Sequence, residues 1–311
     1  MPSPLVSIVV LNYKRLTALE QTLESVVIQR YPQMEIIVVD NHSEEDVAGL
    51  VRKFGSEIRL IELETNVGGC GGRNVGIEAA RGEIVITLDN DVSFLSPDAV
   101  ENVVQLFEAN PDYHVLAFQL RDAQTGQLRL REWCHPRDWR EFENAQFATH
   151  FFVEGAAAYR RYIFDQAGMY FEPLFIYCEG WDLGLRILDA GYRILYTPEI
   201  KVRHLMSPEA RSNSRPYFLF ARNYIWIAYK DYPVWSGLKF VTFRIAMMAY
   251  FAARTGNVSS FLRGIRDGIA GCRQIERNPV KSSTIDYIDE LERDRPNILV
   301  RYARHRTAPQ L

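Results

Sequence analysis

The chain has 311 residues, 47% hydrophobic and 24% charged, with a formal net charge of −3 at pH 7, a length that buries a sizeable core without covalent staples. Its four cysteines (Cys70, Cys134, Cys178, Cys272) stand far apart with no C-x-x-C pair, which argues against a zinc ribbon or disulfide framework and suits a reducing cytoplasm. Residues 1–200 hold 17 basic against 30 acidic side chains, a net of −13, and residues 201–311 hold 19 against 9, a net of +10; the first part is unlike a nucleic-acid binder and the second suits an anionic surface.

After Met1-Pro2-Ser3-Pro4 the chain enters a strand pattern directly, with no basic segment leading into a long apolar core, so no export signal is visible. Val6-Ser7-Ile8-Val9-Val10-Leu11 has the β-branched, continuous apolar character of a strand buried on both faces, and it ends at Asn12-Tyr13-Lys14-Arg15. Leu19, Leu23, Val26 and Val27 then repeat at helical spacing over 18–29. A second buried strand, Ile36-Ile37-Val38-Val39, finishes on Asp40. Helix over 45–54, strand over 59–62, helix over 72–80 and strand over 83–88 follow. Alternation of this kind predicts an open α/β sheet with helices on its faces, whose ligands bind beyond the carboxyl ends of the strands. Asn12, Asp40 and the run Asp89-Asn90-Asp91 all fall at such ends.

Two stretches here allow two readings each. Asn66 to Gly76 carries Gly68, Gly69, Gly71, Gly72 and Gly76 around Arg73. Glycines let backbone N–H groups approach a phosphate, and the same run would also serve as a flexible loop. It matches neither G-x-G-x-x-G nor a P-loop, and it follows the third strand, which disfavours a dinucleotide fold. Arg73 would add a charge or a stacking plane for a nucleotide. Asp89-Asn90-Asp91 is good turn chemistry, and two hard oxygen ligands at a strand end also suit Mg²⁺ or Mn²⁺.

Residues 98–147 read as a helix, a strand over 114–120 and an irregular aromatic section through Trp133, His135 and Trp139, for which loop packing is the favoured account over an acceptor pocket. Further on, Phe175-Ile176-Tyr177-Cys178 leads into Glu179-Gly180-Trp181-Asp182, with Asp182, Leu185, Arg186 and Leu188 at helical spacing. Glu179 falls at the helix N-terminus, where an acid is favoured, and its apolar surroundings suit a general base near neutral pH. Helix capping is the competing account, and it weighs more for Asp182. A strand pattern after Gly191 leads through Lys201-Val202-Arg203 to His204, placed to return a nitrogen ligand to the carboxyl edge.

The order and spacing of these pieces resemble the inverting family 2 glycosyltransferases with the GT-A fold. The likeness covers about residues 5–206. It rests on Val6 to Tyr13, Ile36 to Asn41, Asn66-x-Gly68 through Arg73-Asn74-x-Gly76, Leu88 to Asp91, Gly155-Ala156, Glu179-x-x-Asp182-Leu183-x-x-Arg186, Ala190 to Arg193, and His204. Within the family the chain looks most like the rhamnosyl- and galactofuranosyltransferase-like branch that builds bacterial surface glycans. The resemblance implies a UDP- or dTDP-sugar donor, a glycan or glycolipid hydroxyl acceptor, and Mn²⁺ or Mg²⁺. It implies that Asn12 and Asn90 belong to the nucleotide site, that Asp40 accepts from the base imide, and that Arg73 lies near base or diphosphate. Asp89 would hold the ribose or a metal water, Asp91 and His204 the metal, and Glu179 would be the catalytic base. Two departures stand out: relatives commonly carry two successive acids where this chain has Glu179-Gly180, and Tyr170-Phe171-Glu172 replaces a common Phe-Asp-Glu.

Beyond residue 206 the resemblance ends, and 207–311 reads as a helical, aromatic and basic C-terminal region. Residues 234–253 are interrupted by Lys239 and Arg244 and make a poor membrane span. Three positions stay open for 215–270: lying in lipid headgroups on the inner face of the cell membrane, packing on the catalytic domain, or pairing with a second subunit. Residues 301–311 read as a frayed basic tail. Two other functions remain at this point, a nucleotidyltransferase on a similar sheet and a non-catalytic sugar-nucleotide-binding or membrane scaffold protein.

Overall fold

The computed structural model describes residues 3–205 and 214–295. Nine strands form one mixed sheet: β1 (Val6–Asn12), β2 (Met34–Asp40), β3 (Ile58–Glu62), β4 (Ile84–Asp89), β5 (Val92–Phe94), β6 (Val115–Asp122), β7 (Phe147–Thr149), β8 (Ala156–Arg160) and β9 (Ile194–His204). Their order is β3-β2-β1-β4-β8-β6-β9-β5, with β7 also against β9. The helices are α1 (Leu16–Val27), α2 (Val47–Lys53), α3 (Gly68–Ala79), α4 (Ala99–Ala109), α5 (Trp139–Phe142), α6 (Ile163–Ala167), α7 (Glu179–Asp189), α8 (Arg215–Asp231), α9 (Val234–Arg254), α10 (Val258–Gly271) and α11 (Ser282–Leu291).

The expected open α/β sheet is present, and the period-two pattern explains its two covered faces. In β1, Ile8 and Val10 join Leu19, Leu23 and Val26 of α1 and Val103 and Phe107 of α4 in one core. Val9 and Leu11 point the other way, towards Cys70 and Ile77 of α3, Leu183 and Ile187 of α7 and Ile227 of α8. Strands β1 to β4 are parallel, whereas β8 is antiparallel to both β4 and β6. The outer edge of β9 is divided, β7 pairing with Ile194–Tyr196 and β5 with Val202–His204.

One expectation is corrected here. The glycine run is not a loop before a helix at residue 72, because α3 already begins at Gly68. Glycine is a poor helix former, about 1 kcal/mol below alanine, yet the packing demands it. A Cβ on Gly72 would lie 2.4 Å from Leu11 Cδ1, and one on Gly76 would lie 2.2 Å from Val9 Cγ1. Smooth sides let α3 lie close on β1. The section through Trp133 and His135 is likewise an aromatic core of its own with Phe147 and Tyr196, and His135 is buried within it. Burial pushes the His135 imidazole down to about 3, so it packs neutral, with Nδ1 3.0 Å from Thr149 Oγ1.

The C-terminal helices dock on the sheet domain. Lys230 Nζ of α8 donates to Asp182 of α7 at 2.8 Å, Thr284 Oγ1 donates to Asp189 at 2.7 Å, and Glu292 lies 2.8 Å from His150 Nε2. The boundary expected at 206–207 and the tail at 301–311 lie outside the described residues. Among the described residues no helix is long and apolar enough to cross a membrane.

A Gly76→Ala variant should lose about 1–3 kcal/mol by overpacking, even though helix propensity alone would gain about 1. Urea unfolding measures the sign, and a more stable variant would refute the close α3–β1 approach.

Candidate active site

Pairing of Asn12 with Asp40 and of Leu11 with Asp89 sets the carboxyl ends of β1, β2 and β4 side by side. The polar residues expected there form two tiers. Asn12 is fully buried: its Nδ2 donates to Asp40 Oδ1 at 2.8 Å and Ser43 Oγ at 2.9 Å, and its Oδ1 accepts from Asn90 Nδ2 at 2.7 Å. Asn90 Nδ2 also donates to Lys14 O at 2.7 Å, while its Oδ1 accepts from Arg15 Nη2 at 3.1 Å. Both asparagines thus have every side-chain donor and acceptor group engaged inside the protein. They tie the strand ends to a turn in which Lys14 and Arg15 adopt φ of 60° and 63°. Asp40 is buried too, its Oδ2 accepting the Ser43 N–H at 3.1 Å.

That turn delivers Arg15, which the sequence reading did not single out. Its Nη1 lies 2.6 Å from Asp91 Oδ2. Asn90 and Asp91 do form a turn between β4 and β5, so turn chemistry and a presented carboxylate coexist. His204 arrives on Asp91 because β5 pairs Val92 with His204 and the Leu205 N–H donates to Asp91 O at 2.8 Å. His204 Nε2 lies 3.5 Å from Asp91 Oδ1, and its Nδ1 lies 3.7 Å from Glu132 Oε1. Burial opposes charge on both partners, but they overcome it together. Asp91, beside His204 and Arg15, sits below the usual carboxylate range, and Asp91 and Glu132 raise His204.

These residues fit a hard divalent cation held lightly. Among the described residues no three His, Cys, Asp or Glu gather to hold a metal. Asp91 Oδ1 and His204 Nε2 are spaced as two ligands of one ion can be, with Glu132 near the far side of the imidazole where ligating histidines commonly find a carboxylate. Mg²⁺ and Mn²⁺ accept few protein ligands and complete their shells with water and phosphate oxygen.

Further along the same edge, Arg73 of α3 links two other expected residues. It is 5% exposed, with Nη2 2.5 Å from Asp89 Oδ1 and Nη1 3.4 Å from Glu179 Oε1. Burial works against its charge, yet Asp89 and Glu179 hold the guanidinium well above its ordinary pKa. Glu179 is 3% exposed at the start of α7; burial raises its pKa and Arg73 opposes the rise. Gly69 leaves the room this needs, since a Cβ there would lie 2.9 Å from Arg73 Nη1 and 3.2 Å from Glu179 Oε1.

Glu179 is launched from a strained approach, with Phe175, Tyr177 and Cys178 at φ of 66°, 72° and 72°. Non-glycine residues hold such angles only when surroundings enforce them. Asn223 of α8 does so: fully buried, its Nδ2 faces Leu174 O at 3.1 Å, Ile176 O at 3.0 Å and Tyr177 O at 2.8 Å. No sequence signal pointed to Asn223, because the contact spans a helix and a loop far apart in the chain. Asp182 is held inside by Lys230 and Arg186 and faces away from the edge chemistry; burial is overcome by those two cations, which bring its carboxyl to about 2.

Residues 7–168 match the sequence profile described as Glycosyl transferase family 2. The chain belongs to that family. This family 2 glycosyltransferase is 26% identical over 213 residues to the uncharacterized glycosyltransferase YwdF of Bacillus subtilis, covering 67% of this chain and 77% of the relative. It is 28% identical over 193 residues to the O-antigen chain rhamnosyltransferase WbaN of Salmonella anatum, covering 59% and 60%. Its fold is the GT-A fold. A mannosyltransferase of Pyrobaculum calidifontis, solved with GDP-Man and Mn²⁺, superposes with a TM-score of 0.58 at 18% identity, covering 92% of this chain and 79% of that one. TarS of S. aureus, residues 1–349 with UDP-GlcNAc, gives 0.60 at 14% identity, covering 93% and 90%.

Asn223→Ala should expose the clamp. Losing hydrogen bonds to buried carbonyls costs roughly 1–3 kcal/mol, so the thermal midpoint should fall by several degrees. Transfer should drop at least about tenfold where the variant remains folded, because Glu179 loses its fixed approach. A variant of unchanged stability and rate would show that the loop holds its own shape.

Proposed function

We propose that this family 2 glycosyltransferase moves a sugar from a UDP- or dTDP-linked donor to a hydroxyl of a glycan or glycolipid, with inversion and with a divalent cation, in bacterial surface glycan synthesis. The observation that carries the reading is the bridge made by Arg73. One buried guanidinium holds Asp89, at the strand ends where nucleotides bind in open α/β sheets, beside Glu179, a buried carboxyl suited to proton removal. The O-antigen rhamnosyltransferase likeness supports the acceptor class.

In this reading Asp40 accepts from the imide of the base, Asp89 holds the ribose side, and Asn12 and Asn90 act from behind by fixing Asp40 and the Arg15 turn. Asp91 and His204 hold the cation, which when bound neutralises charge gathering on the departing diphosphate. Arg15 must release Asp91 Oδ2 or share it, and its guanidinium then stands ready for a phosphate oxygen. Glu179 takes the acceptor proton as the acceptor oxygen attacks opposite the leaving diphosphate, and one displacement inverts the carbon. Glu179→Gln should keep nucleotide binding, read as a Mn²⁺-dependent thermal shift with UDP- or dTDP-sugars, and lose about a hundredfold or more in transfer. Full activity in that variant would remove the base from Glu179.

The reading extends to the inner face of the cell membrane. Trp235 is 83% exposed, and Leu238, Phe243, Met247 and Tyr250 continue an open apolar stripe along α9, with Val258, Leu262 and Ile269 exposed on α10. Residues 234–273 hold six basic side chains and one acid. Apolar side chains within a basic excess match an anionic lipid surface, with each cation near that surface worth about 1 kcal/mol. The protein should sediment with phosphatidylglycerol vesicles in a salt-sensitive manner, and Trp235→Ser with Phe243→Ser should release it. Absence of binding, with a concentration-dependent dimer in light scattering, would assign the stripe to a second subunit.

A further inference from the structure

Helix α7 opens on Glu179-Gly180, and the space beside Gly180 is filled from another element. A Cβ on Gly180 would lie 2.3 Å from Phe152 O, 2.7 Å from Glu154 Oε1 and 3.3 Å from Glu154 Cδ. The Gly180 N–H donates to that same Oε1. The carboxyl of Glu154, just before β8, therefore stands where a side chain at position 180 would begin, against the first turn of the helix that carries Glu179. Its backbone is fixed as well: Thr87 Oγ1 donates to Glu154 O at 2.5 Å, and a Cβ on Gly155 would lie 2.3 Å from Asp89 Cγ.

Three acids, Asp89, Glu154 and Glu179, thus surround one guanidinium, and Arg73 is spent on the other two. Among the described residues no Lys, Arg or His forms an ion pair with Glu154. Facing it are Glu179 of α7 and Cys178 just before that helix, Arg73 and Cys70 from α3, Tyr159 from β8 and Tyr170. Burial raises both thiols and both phenols, so these stay neutral. Burial, then the charge of Glu179, lifts the Glu154 carboxyl to about 8. As a whole residue Glu154 is half-buried, whereas Glu179 is 3% exposed.

We propose that Glu154 is the proton-holding partner of Glu179, the two carboxyls carrying one proton between them in the resting site and Glu154 passing protons to solvent. This rests on the reading of Glu179 as base. In the transfer step the acceptor oxygen bonds to the anomeric carbon. The bond from that carbon to the diphosphate oxygen breaks with its electron pair on the diphosphate, and the acceptor proton goes to Glu179. The pair then holds two protons, and one leaves to water through Glu154. A proton on Glu154 also spares the incoming diphosphate a third uncompensated carboxylate.

Glu154→Gln keeps an oxygen for the Gly180 N–H but cannot hold or exchange the proton. In the full chain, infrared difference spectra between wild type and Glu154→Gln should contain a protonated-carboxyl band at pH 7 that disappears as pH rises through about 8. The kcat/KM of wild type should fall over the same range, and the variant should lose that alkaline fall. Its kcat at pH 7 should drop roughly tenfold, against about a hundredfold or more for Glu179→Gln. Absence of the titrating band overturns the proposal whether or not any transfer is measured. So does an unchanged pH profile, or a folded Glu154→Gln as inactive as Glu179→Gln, which would make Glu154 the base. A titrating band in a protein that turns over no nucleotide sugar would leave the pair standing and remove the transferase reading instead.

Discussion

The site depends on a single buried positive charge. Arg73 is almost wholly withdrawn from water, and what makes that tolerable is contact with Asp89 on one side and Glu179 on the other. Glu179 in turn depends on the guanidinium, since an unpaired buried carboxylate is costly by several kcal/mol. The glycines of α3 follow from this arrangement and from the sheet beneath. Gly69 leaves room for the Arg73–Glu179 contact, and Gly72 and Gly76 bring the helix axis close enough for Arg73 to reach over the strand ends.

Around that charge the polar residues divide into supports and presenters. Asn12, Asn90 and Ser43 saturate one another and Asp40, which fixes the ends of β1, β2 and β4 and holds the Lys14–Arg15 turn in its left-handed form. Asp89 and Asp91 stand on that frame, with His204 held against Asp91 by β5 and β9, while Glu179 and Glu154 come from α7 and from just before β8. A network satisfied on every side is stiff, so it fixes the spacing of the strand ends and of the Lys14–Arg15 turn.

Much of the framework was legible in the sequence because buried parallel strands read as continuous apolar runs, and because Asp40 and Asp89 end two of them. The open sheet, its carboxyl edge and the convergence of Asp40, Arg73, Asp89, Asp91, Glu179 and His204 on it followed from that pattern together with family resemblance. The first turn of α3 was missed because helix propensity scores Gly68, Gly69 and Gly71 as a breaker, whereas the close approach of Phe175 to Gly68 and of Arg73 and Glu179 to Gly69 leaves no room for a side chain there. Arg15 and Glu154 were missed for a different reason. Neither belongs to a periodic pattern, and each matters through one contact made by a turn or by the space beside Gly180. The aromatic section through His135 looked like surface loop because part of its burial comes from Tyr196 of β9, which is remote in sequence.

The clamp by Asn223 has a consequence for the birth of the protein. The carbonyls it gathers lie 46 to 49 residues earlier in the chain. A nascent chain leaving the ribosome therefore exposes the strained Phe175–Cys178 segment before α8 exists to hold it. The sheet strands, Arg73 and the Asp91–His204 pair are all translated first, and domains tend to organise from the N-terminus as they emerge. The clamp is completed only when α8 has emerged and docked, so the approach to Glu179 is the last part of the site to take its shape.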